Sequence, residues 1–248
     1  MMSQRRRAAL VTGAGRNIGR AVVLGLARDG FDVVINGATN RDICESVAQE
    51  VRDLGAEALV AMGDVGRLED CARIAAEAIS RFGTVDVLVN NAAIRPVKPF
   101  LETSESEWRR VLAVDLDSAV WLARACLPGM VEQGWGRIVS ITGLNAIHGH
   151  EGRVPVSVAK HGVWGLTKAL AKEFGPKGIT VNAISPGAIA ADGEQPADDP
   201  ARRAVIARIP AGRLGLPAEI ASVLRLLVSD GGAFVNGQMF QVNGGAQT

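Results

Sequence analysis

"AALVTGAGRNIGRAVVLGLARDG", residues 8–30, decides how the chain folds. Ala8 to Val11 form an apolar run too short for a helix and end at a glycine turn, which reads as a buried strand. From Asn17 the apolar residues recur at helical spacing until Gly30 stops them. Gly13, Gly15 and Gly19 sit between the two. A glycine turn there lets backbone N–H groups and a helix N-terminus face a pyrophosphate.

The same unit repeats along the chain. "FDVVIN", "EALVAMGDV", "VDVLVNNA", "GRIVSIT" and "GITVNAIS" read as further strands, and "GQMFQVNGG" as the last. Helical runs lie between them, at "RDICESVAQEVRDLG" and over 67–82, 104–130 and 157–174. The third of these opens with a capping box, Ser104 with Glu107 three residues on. Buried strands joined by helical crossovers imply an α/β fold, a parallel seven-stranded sheet with helices on both faces. No linker breaks the alternation, so residues 1–248 read as a single doubly wound, Rossmann-type domain. "GAIAADGEQPADDPARR" (187–203) reads as one long loop, of the kind that is usually functional.

Composition narrows the function classes. Twenty-seven basic residues against 26 acidic ones leave almost no net charge, which argues against nucleic acid or an anionic membrane as the main partner. No apolar stretch follows "MMSQRRR" as a signal peptide requires, and no run reaches the roughly 18 residues of a membrane span. Cys44, Cys71 and Cys126 are scattered and suit a reducing cytoplasm. No residues are assigned to a metal. Ligands of such sheets bind beyond the carboxyl ends of the strands, and the motifs cluster there.

Those motifs carry a resemblance that covers nearly the whole chain. Thr12, Gly13, Ala14, Gly15, Arg16, Asn17, Ile18 and Gly19 match a TGxxxGxG fingerprint. Asp64-Val65, "NNAA" (Asn90 to Ala93) and "NAISPG" (Asn182 to Gly187) match three further segments. The chain resembles the short-chain dehydrogenase/reductase family, close in layout to the 3-oxoacyl-carrier-protein reductases. The resemblance implies a bound dinucleotide contacted by the glycine turn, Asp64, Val65, Asn90, Ala92, Pro186, Gly187 and Ile189. It also implies a homotetramer, or a hetero-oligomer with an active relative, acting on a small molecule. Asn17 stands at the fingerprint's middle glycine, and Asn is the non-glycine residue that best tolerates a left-handed backbone.

The resemblance further implies a catalytic tetrad of Asn, Ser, Tyr and Lys. Here those positions read Asp115, Gly143, Val156 and Lys160, and the chain contains no tyrosine. The family threonine that holds the nicotinamide amide corresponds to Ala191. Reducing a ketone by hydride transfer creates an alkoxide that needs a proton donor and a stabilising hydrogen bond. Valine and glycine supply neither, and one such donor alone is worth about 3–4 kcal/mol. Lys160 keeps the family's second role for that lysine, holding the nicotinamide ribose.

NADP(H) is favoured over NAD(H). The second strand ends at Asn36, with no carboxylate before Asp42 to meet a free ribose hydroxyl. Arg16 and Arg41 offer charge to a 2′-phosphate. For the missing acid the candidates are His148 and His150, in a loop with Glu151 and Arg153, and Asp115. Relatives that reduce 2,4-dienoyl-coenzyme A also lack the usual Ser–Tyr pair. Arg95 and Lys98, near the expected substrate mouth, offer attraction for an anion. Three functions stay open: an NADP(H)-linked oxidoreductase with an altered acid, a non-redox enzyme such as a cyclase or hydrolase, and a catalytically silent dinucleotide-binding subunit.

Overall fold

The structure, a computed structural model, describes residues 5–191 and 199–247. Seven strands are present: β1 (Ala8–Val11), β2 (Asp32–Gly37), β3 (Ala58–Met62), β4 (Val87–Asn90), β5 (Gly136–Ile141), β6 (Ile179–Pro186) and β7 (Met239–Val242). They form one parallel sheet in the order β3-β2-β1-β4-β5-β6-β7. The helices are α1 (Asn17–Arg28), α2 (Arg41–Asp53), α3 (Leu68–Phe82), α4 (Glu105–Leu112), α5 (Ser118–Gln133), α6 (Val154–Phe174), α7 (Pro200–Ile206) and α8 (Pro217–Val228).

Period-2 alternation sorts the strand residues between two cores. Ala9, Val11, Val33, Ile35, Val87 and Val89 face one layer, packed against α1, α2 and α8. Their neighbours Leu10, Val34 and Leu88 face the other, packed against α3 and α5. Fully buried side chains such as Leu10 and Leu88 each contribute about 1.5–3 kcal/mol by leaving water. The expected fold class, a doubly wound parallel seven-stranded sheet with helices on both faces, is observed.

Three local differences from the sequence reading have physical causes. The run over 104–130 is not one helix: α4 and α5 are separated by a π-turn at Ala113–Asp117. Such turns insert one residue into a helix and occur mostly at functional sites. Helix α6 begins at Val154 rather than 157, because Pro155 suits a first turn whose N–H groups have no helical partner. The segment 187–203 is not all loop, since Pro200–Arg203 belong to α7, capped by Asp199; residues 192–198 lie outside the described residues.

The lower edge of the sheet, opposite the strands' carboxyl ends, is organised by Asp86. Its fully buried carboxylate accepts from Ala8 N at 2.6 Å, from both terminal nitrogens of Arg5 at 3.0 and 2.8 Å, and from Gln133 Nε2 at 2.8 Å. Arg7 stacks on Trp135 at 3.6 Å, with Arg137 at 4.3 Å from the same ring. The arginine run before β1 therefore serves packing. Asp86→Ala is expected to lower stability by about 2–4 kcal/mol in urea unfolding, because it strands a buried N–H and an oriented amide. Arg5→Ala, at an exposed partner, is expected to cost about 1 kcal/mol or less. Equal losses in the two variants would contradict this ranking.

Candidate active site

The sheet reverses its order between β1 and β4, and a crevice opens there beyond the strand ends. A cleft of about 810 Å³ fills it, which is ample for a cofactor. Its central wall is the turn between β1 and α1. Gly13 has φ +60°, and a Cβ there would lie 3.0 Å from Ala92 Cα. A Cβ on Gly19 would lie 2.3 Å from the Gly13 carbonyl oxygen, so only glycine lets α1 approach the turn. Asn17 has φ +49°, the only positive φ at a non-glycine among the described residues. The left-handed backbone expected of it is present.

Thr12 and Asn91 tie this turn to the end of β4. Thr12 Oγ1 accepts from Asn91 N at 2.9 Å and Ala92 N at 3.0 Å, while Asn91 Nδ2 donates to the Thr12 and Gly13 carbonyls. Asn36 braces the next strands: its Nδ2 donates to the carbonyls of Ala61 and Gly63, and its Oδ1 accepts weakly from Gly13 N at 3.4 Å. From Asn36 to Asn40 the wall carries no carboxylate. Arg16 lines this end of the cleft and is exposed. Arg41 does not line it; it faces solvent and pairs with Glu45 at 3.3 Å.

Gly15, Ile18, Asp64 and Val65 also line the cleft, as do Pro186, Gly187 and Ile189. Asp64 is held by Arg110 of α4, whose Nη2 reaches the two carboxylate oxygens at 3.0 and 2.9 Å. Gly66 makes room for that arginine, since a Cβ would meet Arg110 Nη1 at 2.2 Å. Sequence reasoning passed over Arg110, Thr12 and Asn91 as site residues. Arg110 gives no local signal, because its partner lies 46 residues away. Asn90 is turned into the sheet, where its Nδ2 donates to Ser140 Oγ at 3.2 Å.

The far end is built differently. Gly143 lines the cleft with φ +93° and ψ 175°, a conformation open essentially only to glycine. Val156 is fully buried on α6. One turn along the same face, Lys160 is buried as well, and Nζ donates to the Ile141 carbonyl at 3.2 Å. Nζ also lies 3.5 Å from Asp115 Oδ2. The π-turn carries Asp115 inward, where Oδ1 accepts from Ile94 N at 2.8 Å. Neither member of this pair lines the cleft; they lie behind its wall.

Burial pushes the Asp115 carboxyl above its ordinary range, against the opposing pull of Lys160, the Ile94 N–H and Arg95. Burial likewise pushes the Lys160 amine below its ordinary range; Asp115 opposes that shift and the nearby Arg95 charge adds to it. Desolvation thus outweighs attraction for both partners. His148 and His150 stand at the exposed tip of the 144–152 loop and do not line the cleft. His150 Nδ1 lies 2.9 Å from the Glu151 carbonyl oxygen. Lys98 is bound by Glu107, with two contacts of 2.9 Å.

Comparison with known proteins agrees with this architecture. The family model described as enoyl-(acyl carrier protein) reductase matches residues 13–247. Nodulation protein G of Azospirillum brasilense is 39% identical over 96% of each chain, and a 3-oxoacyl-[acyl-carrier-protein] reductase of Pseudomonas aeruginosa is 38% identical over 98% of each. The chain belongs to the short-chain dehydrogenase/reductase family. A solved structure from Beutenbergia cavernae, described as a candidate NAD(P)-dependent gluconate 5-dehydrogenase with NADP bound at low occupancy, superposes with a TM-score of 0.90. It is 40% identical and covers 98% of both chains.

This short-chain dehydrogenase/reductase therefore combines a glycine turn that carries Asn17 in a left-handed backbone with a buried Asp–Lys pair. Asp115→Leu leaves a buried ammonium without its counter-charge and is expected to cost about 3–5 kcal/mol. The Asp115→Leu/Lys160→Met double variant is expected to be as stable as the parent or more so, since burying an ion pair seldom repays its desolvation. The pH signs differ for the two groups. A raised Asp115 contributes stability that is present below its unfolded value and lost as pH rises through the folded one. A depressed Lys160 makes stability climb as pH rises toward the ordinary amine value. Relative to the double variant, the parent should be weakest at intermediate pH. Chemical denaturation across pH measures this, and a flat difference would refute it.

Proposed function

We propose that the protein is an NADP(H)-dependent oxidoreductase that moves hydride without a hydroxyl acid. The observation that carries this reading is a cleft walled by the glycine turn, Asp64 and Val65 whose other end lacks a phenol. The chain has no tyrosine, and Val156 and Gly143 occupy the positions where family resemblance calls for Tyr and Ser. Gly13, Gly15 and Gly19 supply close backbone approach, and the N-terminus of α1 favours a pyrophosphate. Arg16, beside a wall free of carboxylate, suits a 2′-phosphate. Asp64 and Val65 lie where the resemblance places the adenine. Pro186, Gly187 and Ile189 lie where it places the nicotinamide.

When bound, the nicotinamide supplies the hydride. The chain must then settle the charge that develops on the acceptor. An activated double bond suits this site better than an isolated ketone, because conjugation spreads that charge and relaxes the demand for a strong donor. Asp115 does not line the cleft, so it acts on the reacting atoms through Lys160 rather than by direct contact. Its Oδ2 is buried and has no hydrogen bond among the described residues beyond the Lys160 contact. Lys160, held beside Asp115 behind the wall, offers a positive field to a developing anion.

Thermal unfolding with each nucleotide is the first test: NADPH should raise the melting temperature at concentrations where NADH does not. Arg16→Ala should weaken NADPH about tenfold and leave NADH nearly unchanged. Absence of any shift with either nucleotide would end the proposal. With binding established, NADPH oxidation should be faster with enones than with matched saturated ketones. Asp115→Asn should lower kcat by about tenfold or more by weakening the hold on Lys160, with the folded state verified by its melting curve. Undiminished turnover in that variant would remove Asp115 from the mechanism.

A further inference from the structure

The substrate end of the cleft has an unbalanced charge. Arg95 follows β4, lines the cleft with Gly143 and Ala191, and is exposed. Other cations bordering this region are engaged: Lys98 by Glu107, Lys160 by Asp115 and Arg110 by Asp64. Arg95 forms no ion pair with a described residue, and Arg153 does not line the cleft. Around Arg95 the wall is Ala93, Ile94, Val114 and Ala191, which offer no side-chain hydroxyl or amide to a neutral polar substrate. Lys160 is thus matched by Asp115 behind the wall, and Arg95 is the cation at this end of the cleft with no carboxylate partner among the described residues.

We infer that the substrate carries a carboxylate, or a comparable anionic group, and that Arg95 is the residue that selects it. This rests on the oxidoreductase reading above and specifies its substrate class. A guanidinium presents two parallel N–H donors that match a carboxylate edge, so it orients the molecule as well as attracting it. Bound there, the anion supplies the charge this end lacks. The apolar wall then accepts the carbon skeleton.

The test uses matched pairs of probes that differ in charge: D-gluconate against D-sorbitol, and crotonate against methyl crotonate. Calorimetric titration into the NADP⁺-loaded protein should show at least one acid binding about tenfold or more tightly than its neutral counterpart. Arg95→Met should erase that preference, Arg95→Lys should keep part of it, and neither should shift the melting temperature. Equal binding within both pairs, no binding of either acid, or a preference that survives in Arg95→Met would each overturn the inference. Loading with NADP⁺ is measured first, so failure of the cofactor reading shows as a separate result. The same titrations on the unloaded protein then still read the Arg95 preference.

Discussion

One hydroxyl holds the crevice in shape. Where the sheet reverses between β1 and β4, the two chain segments leave in different directions, and their backbone N–H groups need partners. Thr12 Oγ1 takes two of them, from Asn91 and Ala92, and Asn91 returns two bonds to the carbonyls of the glycine turn. The turn's position in turn sets how closely α1 approaches, which the Gly13–Gly19 contact limits to glycine. The glycine-turn side of the cleft is tied to the end of β4 by this clasp.

The fold was legible because two periodicities carry it. Alternation in "VVI" and "VLV" distributes side chains to two layers, and helical spacing supplies the covers. The left-handed Asn17 was legible too, since few residue types accept that backbone. Features made by long-range contact left no local trace. The π-turn at Ala113–Asp117 packs against α6, and a helix-period pattern reads through it. Arg110 looks like a solvated helix residue until Gly66 and Asp64 are brought beneath it. The histidine-rich loop shows the converse: its composition suggested an acid, but residue type says nothing about which way a loop faces.

Behind the wall of the cleft lies a buried ion pair. The buried pair of Asp115 and Lys160 is costly to assemble, and a polar amide at 115 would draw the lysine inward far less. A carboxylate at that position keeps the ammonium behind the wall, bonded to the Ile141 carbonyl. The wall itself is thereby left apolar, with Arg95 as its exposed charge.

The backbone at Gly143 has a consequence for any redesign of this pocket. With φ +93° and ψ 175°, it sits where a side chain adds strain even though the space around it is open, the nearest atom to an added Cβ being Pro186 O at 3.9 Å. A serine introduced there would cost roughly 1–3 kcal/mol before it donated a single hydrogen bond. A ring at 156 would first have to displace a packed core. Each step toward a hydroxyl-based site is therefore a loss when taken alone. Placing hydroxyls at both positions would require the backbone around Gly143 and the core around Val156 to change together.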